Sequence, residues 1–447
     1  MLKNKRHWSS AQVILRGFGA LILAGTLLLM LPVSSRSGQW TSFTDALFTA
    51  TSASCVTGLI VQDTATYWSL FGQFVIITLI QIGGLGVVTM AIAIAMASGS
   101  KISLSRRQTM QDAISATQVG GIVRMTGFIL KSCLIIELAG ALAYSFVFIP
   151  EFGFIKGLCY SLFHSISAFC NAGFDLMGIK TQFSSLTDYT GNGIVNLTTV
   201  MLILTGGLGF ATWADFSNHK LKFSAYRLQS KIALAGTVIL VAIPFVYFWF
   251  LEFSMPQWAG MSATDKFWAS VFRAVTPRTA GFNTVDMTLF SEATVMVTIL
   301  LMLIGGNSGS TAGGMKVSTI SVLFTTAMSV FHRQQNPSVF GRRIEDSVIK
   351  NAATILMMYI TLFMGGSLVI SVVEGLPLLT CMFETASAVA TVGLTMGITP
   401  QLSTVSHFIL IALMYLGRVG GLTIIFATVK GVNNGNAKYP VEKITVG

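Results

Sequence analysis

Four short stretches of the chain close in the same way: CVTGL at 55–59, CNAGF at 170–174, RTAGF at 278–282 and TVGL at 391–394. The chemistry they offer is that of the main chain. Glycine permits backbone conformations forbidden to other residues and lets a strand approach an axis, so several such strands together present carbonyl oxygens that replace an ion's hydration shell. The expected liners are the carbonyls of Cys55, Val56, Thr57 and Gly58; of Cys170, Asn171, Ala172 and Gly173; of Arg278, Thr279, Ala280 and Gly281; and of Thr391, Val392 and Gly393. Each run closes on an apolar residue, Leu59, Phe174, Phe282 or Leu394. Arg278 is an oddity there, because a cation beside a cation path repels its cargo. It is expected to turn back into the protein and pair with Asp286, Glu292 or another acid.

Two further features carry polar chemistry inside apolar runs. Arg418 stands where a guanidinium is costly and is generally functional or paired, either with a carbonyl or with Glu137. The segment GGNSGSTAGGMK at 305–316 puts Gly305, Gly306, Asn307, Ser308, Gly309, Ser310, Thr311, Ala312, Gly313, Gly314 and Lys316 where hydropathy reads one long helix. Irregular backbone survives at that depth only where it lines water or is buried in protein. Lys131 and Glu137, six apart on one span, do not share a face and are given no role in transport.

These residues need elements that bring them together. The 447 residues are 53% hydrophobic and 10% charged, with a mean hydropathy of +0.72. Apolar stretches of about 20 residues, the length that crosses a bilayer, recur throughout. Spans are read near 12–33, 70–97, 124–149, 193–216, 232–251, 294–331, 351–373 and 408–429, the first as a membrane helix and not a cleaved signal. Between the members of each pair lies a shorter segment that begins helix-like and ends on one of the four glycines. Those glycines, 58, 173, 281 and 393, are 115, 108 and 112 residues apart. A second series follows in QIGGLG, LTGGLG, IGGNSG and RVGGLT, where Gly83, Gly206, Gly305 and Gly420 lie 25, 33, 24 and 27 residues beyond their anchors. The expected fold is an all-α polytopic membrane protein of four tandem helix–pore loop–helix (M1-P-M2) repeats around one central pore. It has eight transmembrane helices and both termini in the cytoplasm. The repeats are placed at 1–123, 124–231, 232–350 and 351–430, with a tail at 431–447.

The formal charge of +11 is spread over short loops and does not point to nucleic acid. With the N-terminus inside, seventeen Lys and Arg residues fall on cytoplasmic segments and six on outer or re-entrant ones. Acidic residues such as Asp45, Glu151, Asp286 and Glu384 show the reverse bias, and an acidic outer face concentrates cations. The five cysteines are odd in number and scattered, and are read as unpaired thiols. No polar block is long enough for a separate soluble domain, so a nucleotide-binding regulator is expected on another chain. GNSG at 306–309 matches the G-x-S-G of an intramembrane serine protease, but its serine needs a base within reach, and His164 and His407 lie on other segments. GSTAGGMKV has Met before its lysine and no Ser or Thr after it, so it is not a P-loop. An ion-coupled secondary transporter also uses repeats and broken helices, yet its repeats are typically two and inverted, whereas these four share one orientation.

On the four glycine segments and the glycine pairs behind them, residues from about 12 to 429 resemble the Trk/Ktr/HKT superfamily of K⁺ transporters. Within it the chain is most similar to the bacterial KtrB-type membrane subunits. The resemblance implies a non-enzymatic, channel-like K⁺ uptake protein whose segments are single-glycine counterparts of the TVGYG filter. Four glycines imply K⁺ preference, since serine at the first goes with Na⁺ selectivity in some plant relatives. It further implies that 305–316 is an intramembrane gate, with Lys316 at the cytosolic side opposing cations or anchoring the loop to Asp112, Glu345 or Asp346. Arg418 becomes a barrier below the filter. Partners implied are a second copy in a homodimer, the lipid of a bacterial cell (inner) membrane, and a cytosolic KtrA-type regulatory ring binding ATP or ADP, with NAD a further candidate. The tail from residue 429 is its docking end. Na⁺ is implied as an activator, K⁺ as the transported ion, and no organic cofactor in this chain.

Overall fold

The structure is a computed structural model that describes residues 9–98, 108–111, 121–420, 423 and 442. Asp112 and the tail at 431–447, apart from residue 442, lie outside the described residues. In chain order the helices are α1 (Ser10–Met30), α2 (Phe43–Cys55), α3 (Leu70–Leu85) and α4 (Val87–Ala97), then α5 (Ile122–Phe152), α6 (Phe154–Phe169), α7 (Gly193–Gly207) and α8 (Phe210–His219). There follow α9 (Leu228–Phe250), α10 (Ala263–Val275), α11 (Glu292–Leu303), α12 (Val317–Phe331), α13 (Asp346–Glu374), α14 (Leu378–Val389) and α15 (Thr404–Val419). A small antiparallel hairpin, β1 (Ser338–Val339) with β2 (Arg342–Arg343), joins α12 to α13.

Polar side chains set where many of these helices begin. Ser9 forms a capping box with Gln12 at the start of α1, and Ser42, Ser69, Asn192, Ser262, Ser291 and Ser403 accept first-turn amides of α2, α3, α7, α10, α11 and α15. Such caps satisfy donors that a membrane helix would otherwise leave bare. The long helices turn Leu23, Phe146, Ile243 and Val372 outward, all exposed. A contiguous apolar exterior of this kind belongs in lipid.

Helix length then decides what crosses. Among the described residues α1, α5, α9 and α13 are long and apolar enough to span singly, and the bent pairs α3–α4 and α7–α8 raise the number to six. The short helices α2, α6, α10 and α14 have 13, 16, 13 and 12 residues. At 1.5 Å per residue that is roughly 18–24 Å, short of the ~30 Å hydrocarbon core. Their C-terminal halves are the most enclosed parts of the protein, with residues 46 and 48–55, 167–169 and 383–389 buried.

The spans read as continuous at 70–97 and 193–216 are not straight. The chain turns by 96° between α3 and α4 and by 94° between α7 and α8. The hinge residues Gly86 and Gly209 have φ of +87° and +90°, a conformation open to glycine and closed to an ordinary helical residue. Hydropathy averages across such a hinge and does not register it. The span at 294–331 is interrupted by 304–316, and 408–429 is described as α15 and residue 423.

Packing closes in a circle. α1 lies along α2, α5 along α6, α9 along α10 and α13 along α14; α3 then meets α6, α7 meets α10, α11 meets α14, and α15 returns to α2. α3, α7 and α15 also pack on the preceding short helices α2, α6 and α14, and the glycines that permit these contacts are Gly83, Gly206 and Gly417. A Cβ on any of them would strike the carbonyl oxygen of Ser54, Phe169 or Val389, in the last turn of a short helix. Gly305 sits against Thr279 as Gly417 sits against Thr391. The fourth-unit counterpart of Gly83 is therefore Gly417, and the Gly420 chosen from RVGGLT matches the hinges Gly86 and Gly209 instead, with φ +86°. The doublet in RVGGLT comes one helical turn late, and Arg418 occupies the place of Gly84 and Gly207.

The two glycines should therefore respond differently to alanine. A Cβ on Gly420 comes no nearer than 3.8 Å to a neighbouring atom, Thr423 Oγ1, and meets mainly the strain of a backbone at φ +86° and ψ 135°, on the order of 1–3 kcal/mol. Gly417→Ala must push α15 off α14 and is expected to lower the thermal midpoint in detergent well below that of Gly420→Ala. Equal midpoints would refute this assignment.

Candidate functional site

The four glycine segments follow the C-termini of α2, α6, α10 and α14 and meet at one place. A Cβ built on Gly58 would fall 3.1 Å from Gly173 Cα, one on Gly173 2.9 Å from Gly281 Cα, one on Gly281 3.2 Å from Gly393 Cα, and one on Gly393 3.0 Å from Gly58 Cα. The same positions would collide, in turn, with the carbonyl oxygens of Ala172, Ala280, Val392 and Thr57. The four glycines thus form a closed ring in which each abuts the carbonyl preceding the next.

Local hydrogen bonding determines which groups face this ring. The amides of Thr57, Ala172 and Val392 donate to Ser52, Ser167 and Ser387 carbonyls at 2.8 Å, and that of Ala280 to Thr276 at 3.0 Å. The amides are spent on the helix ends behind. No donor among the described residues reaches the carbonyl oxygens of Thr57, Ala172, Ala280 or Val392, all on buried residues. Buried carbonyls are nearly always paired, so four free ones pointing together call for water or a cation. The partial negative ends of four short helices favour the cation.

This arrangement carries strain. Val56, Asn171, Thr279 and Thr391, each two residues before its ring glycine, have φ of 57°, 58°, 63° and 51°. Three are β-branched, for which the left-handed region costs on the order of 1–3 kcal/mol each.

Several side chains that hold the segments were not singled out from sequence. Ser52 and Ser387 hydroxyls accept the Gly58 and Gly393 amides at 3.1 and 2.9 Å, while Ser167 and Thr276 donate to the carbonyls of Phe174 and Phe282 at 2.6 and 2.5 Å. His164 Nε2 accepts from Leu176 N at 3.3 Å. Glu384, at the same place in α14, accepts from Met396 N at 3.2 Å and from the Thr395 and Thr399 hydroxyls. A serine six residues before the glycine in three of four segments was the available signal.

Residues 305–316 form an ordered, mostly buried loop against this ring. Asn307 N and Nδ2 donate to Gly207 O at 3.0 and 3.1 Å, Thr311 N donates to Gly206 O at 3.2 Å, and Phe210 N donates to Gly309 O at 2.8 Å. The loop thereby satisfies carbonyls and an amide that the α7–α8 break leaves open. Gly313 and Gly314 lie against the Thr391 side chain and the Ala390 carbonyl, with no room for a Cβ. Arg418 meets no acid; it donates to the carbonyls of Gly83, Gly84 and Thr311. Lys316 does not reach Glu345 or Asp346, because its Nζ is folded onto the loop's own carbonyls, Ala312 at 2.8 Å and Gly313 at 3.2 Å. Both cations line a cavity of about 240 Å³. A second cavity of about 160 Å³ opens on the far side of the ring, lined by Gly281, Gly393, Asn283, Thr395 and Asp286.

Other expectations resolve as follows. Arg278 pairs with neither Asp286 nor Glu292; its guanidinium donates to Thr237 Oγ1 at 3.2 Å, turned back toward α9. Glu137 is buried and accepts from Gln81 Nε2 at 2.9 Å, while Lys131 is exposed. All five cysteines are free, with Cys55 and Cys170 buried behind the ring. Ser308 pairs with Ser318 at 3.1 Å, and His164 with Tyr160 and Leu176, so no serine–base pair exists there.

Comparison with known proteins places this geometry. The family model for TrkH, described as a cation transport protein, matches residues 8–438. The "Potassium/sodium uptake protein NtpJ" of Enterococcus hirae is 41% identical, covering 99% of this chain and 98% of the relative. The "Ktr system potassium uptake protein B" of Bacillus subtilis is also 41% identical, over 99% and 97%, and that of Vibrio alginolyticus 35%, over 100% and 96%. The crystal structure of the potassium transporter TrkH from Vibrio parahaemolyticus superposes with a TM-score of 0.72 at 20% identity, covering 96% of this chain and 86% of the other, and so shares the fold. The chain belongs to the TrkH family of cation transport proteins.

Proposed function

We propose that the chain is the K⁺-translocating membrane subunit of a Ktr-type uptake system. The observation that carries this is the closed ring of Gly58, Gly173, Gly281 and Gly393, with free carbonyls from Thr57, Ala172, Ala280 and Val392 facing it. Relatives named for potassium uptake at 35–41% identity over the full length support the choice of ion. The liners are then the carbonyls of residues 55–58, 170–173, 278–281 and 391–393, exchanged for water as the ion dehydrates.

On this reading four M1-P-M2 units surround one path, with eight crossings once the broken second helices count as spans. Both termini lie in the cytoplasm of a bacterial cell whose inner membrane holds the protein. Residues 305–316 are the gate: the loop lies across the path between ring and inner cavity. Arg418 and Lys316 add positive charge at the same level. A homodimer and a cytosolic nucleotide-binding ring complete the system, and Na⁺ stimulates uptake. The names of the Ktr relatives, which mark them as protein B of a system, support such a division of labour.

The ring is tested by serine at its glycines. Gly58→Ser and Gly281→Ser each drive a side chain into a neighbouring carbonyl. They are expected to weaken K⁺ affinity about tenfold, near 1.4 kcal/mol, and to narrow the K⁺ over Na⁺ preference in a K⁺-uptake-deficient cell. Affinity and preference both at wild-type values would remove the filter assignment. The gate is tested separately: deleting residues 309–314 is expected to raise uptake severalfold, of the order that removing a barrier of about 1 kcal/mol produces, and to lessen dependence on the cytosolic partner. An unchanged rate would sink it.

A further inference from the structure

The third glycine segment is joined to the loop by side chains at both ends of one residue, Arg278. Its carbonyl accepts from Asn171 Nδ2 at 3.2 Å, and the same amide's Oδ1 lies 3.3 Å from Thr311 Oγ1. The Thr311 hydroxyl has one proton, shared between Asn171 and the Phe169 carbonyl at 3.0 Å. At the other end, the Arg278 guanidinium and Asn307 Nδ2 both donate to one hydroxyl, Thr237 Oγ1, at 3.2 and 3.3 Å. Thr311 and Asn307 belong to the loop, Asn171 to the second glycine segment and Arg278 to the third. All four are buried.

Neither bridge has a counterpart in the other segments. The positions matching Asn171 hold Val56, Thr279 and Thr391, and the Thr279 and Thr391 hydroxyls have no partner. Among the described residues, the amide at 171 is thus the one side chain at this level of the ring that hydrogen-bonds both a neighbouring segment and the loop. Asparagine also suits the left-handed backbone better than its three counterparts.

We propose that Asn171, Thr311 and Arg278 couple the loop to the third filter segment, so that moving the loop changes which cation the ring prefers as well as how fast ions pass. Asn171 and Thr311 are positioning residues, acting through the Arg278 carbonyl. When the loop leaves, the Asn171 amide loses the Thr311 hydroxyl that fixes its orientation and Thr237 is left to Arg278 alone, so both side-chain contacts that hold the segment change. This rests on the ring as cation filter and on 305–316 as gate.

The test uses the full-length protein in proteoliposomes, with K⁺, Rb⁺ and Na⁺ flux measured for wild type, Thr311→Val, Thr311→Ser, Asn171→Thr and the Thr311→Val/Asn171→Thr pair. Thr311→Val removes only the hydroxyl, at a site outside the ring, and is expected to shift the K⁺:Na⁺ flux ratio by about threefold or more, with the pair shifting no further than Asn171→Thr alone. Thr311→Ser keeps the hydroxyl and is expected to keep the wild-type ratio. Thr237→Val reads the second bridge in the same way and stands in if Thr311→Val does not fold. A rate change with the ratio untouched, or strictly additive shifts in the pair, overturns the coupling. Wild type without selective K⁺ flux overturns the filter reading itself, a distinguishable result.

Discussion

A main-chain amide or carbonyl at the centre of a bilayer must find a partner, and this structure is organised around that requirement. Regular helices meet it internally, but the chain leaves helical geometry at the four glycine segments and at the second-helix breaks. In the segments the amides of Thr57, Ala172, Ala280 and Val392 fold back on the short helices and leave the carbonyls of the same residues for the axis. At the breaks the unpaired groups are the last-turn carbonyls. Those of α3, at Gly83 and Gly84, are taken by the Arg418 guanidinium. Those of α7, at Gly206 and Gly207, are taken by Thr311 and Asn307 of the loop. Arg418 and the loop thus solve the same problem for two neighbouring breaks, and they are joined to each other at the Thr311 carbonyl.

How much of this was legible in the sequence follows from what leaves a periodic mark. The ring glycines did, because any Cβ there meets a neighbour's carbonyl and the spacing of the units repeats. The hinges at Gly86 and Gly209 did not, since a 96° turn changes no residue's hydropathy. Gly417 was hidden by the more conspicuous doublet three residues later. Side-chain partners were the least legible. A buried cation suggests a buried anion, yet Arg278 is held by a threonine hydroxyl and Lys316 by carbonyls. At membrane depth the free carbonyls of irregular backbone are the nearest acceptors, and charge pairing in sequence gives no notice of them.

The loop also looks different beside its neighbours. As a glycine-rich defect in one helix, it marked the third unit as the exception among four. In the structure the first two second helices also break at that depth, so the break is the common feature and the inserted residues are the exception. The insertion reaches to both neighbours, to the second unit through Gly206, Gly207 and Phe210 and to the fourth through Thr391 and Ala390. Its glycines at 313 and 314 are required by that contact, as side chains there would lift the loop off Thr391. On the proposed reading, a loop wedged between three units by hydrogen bonds to orphaned backbone rests either seated or withdrawn into water, because a partly seated loop leaves buried carbonyls unpaired.

On the proposed reading, electrostatics adds to the obstacle that the seated loop presents. Four short-helix C-termini, each equivalent to about half a negative charge, draw a cation to the ring. The cavity beyond holds Arg418 and Lys316 with no carboxylate among its lining residues. Two like charges about 4 Å apart repel by about 4 kcal/mol at the effective dielectric of a protein surface, so a cation leaving the ring for that cavity moves uphill. The two positive charges are attached differently. Arg418 is fixed to α3 through Gly83 and Gly84, whereas Lys316 is bonded to Ala312 and Gly313 and travels with the loop. Withdrawal of the loop therefore removes the steric obstacle and one of the charges in the same movement, and it frees one Arg418 donor, previously on Thr311, to take water. On the proposed reading the obstacle to flow and the charge barrier are one device, switched by the hydrogen bonds that seat residues 305–316.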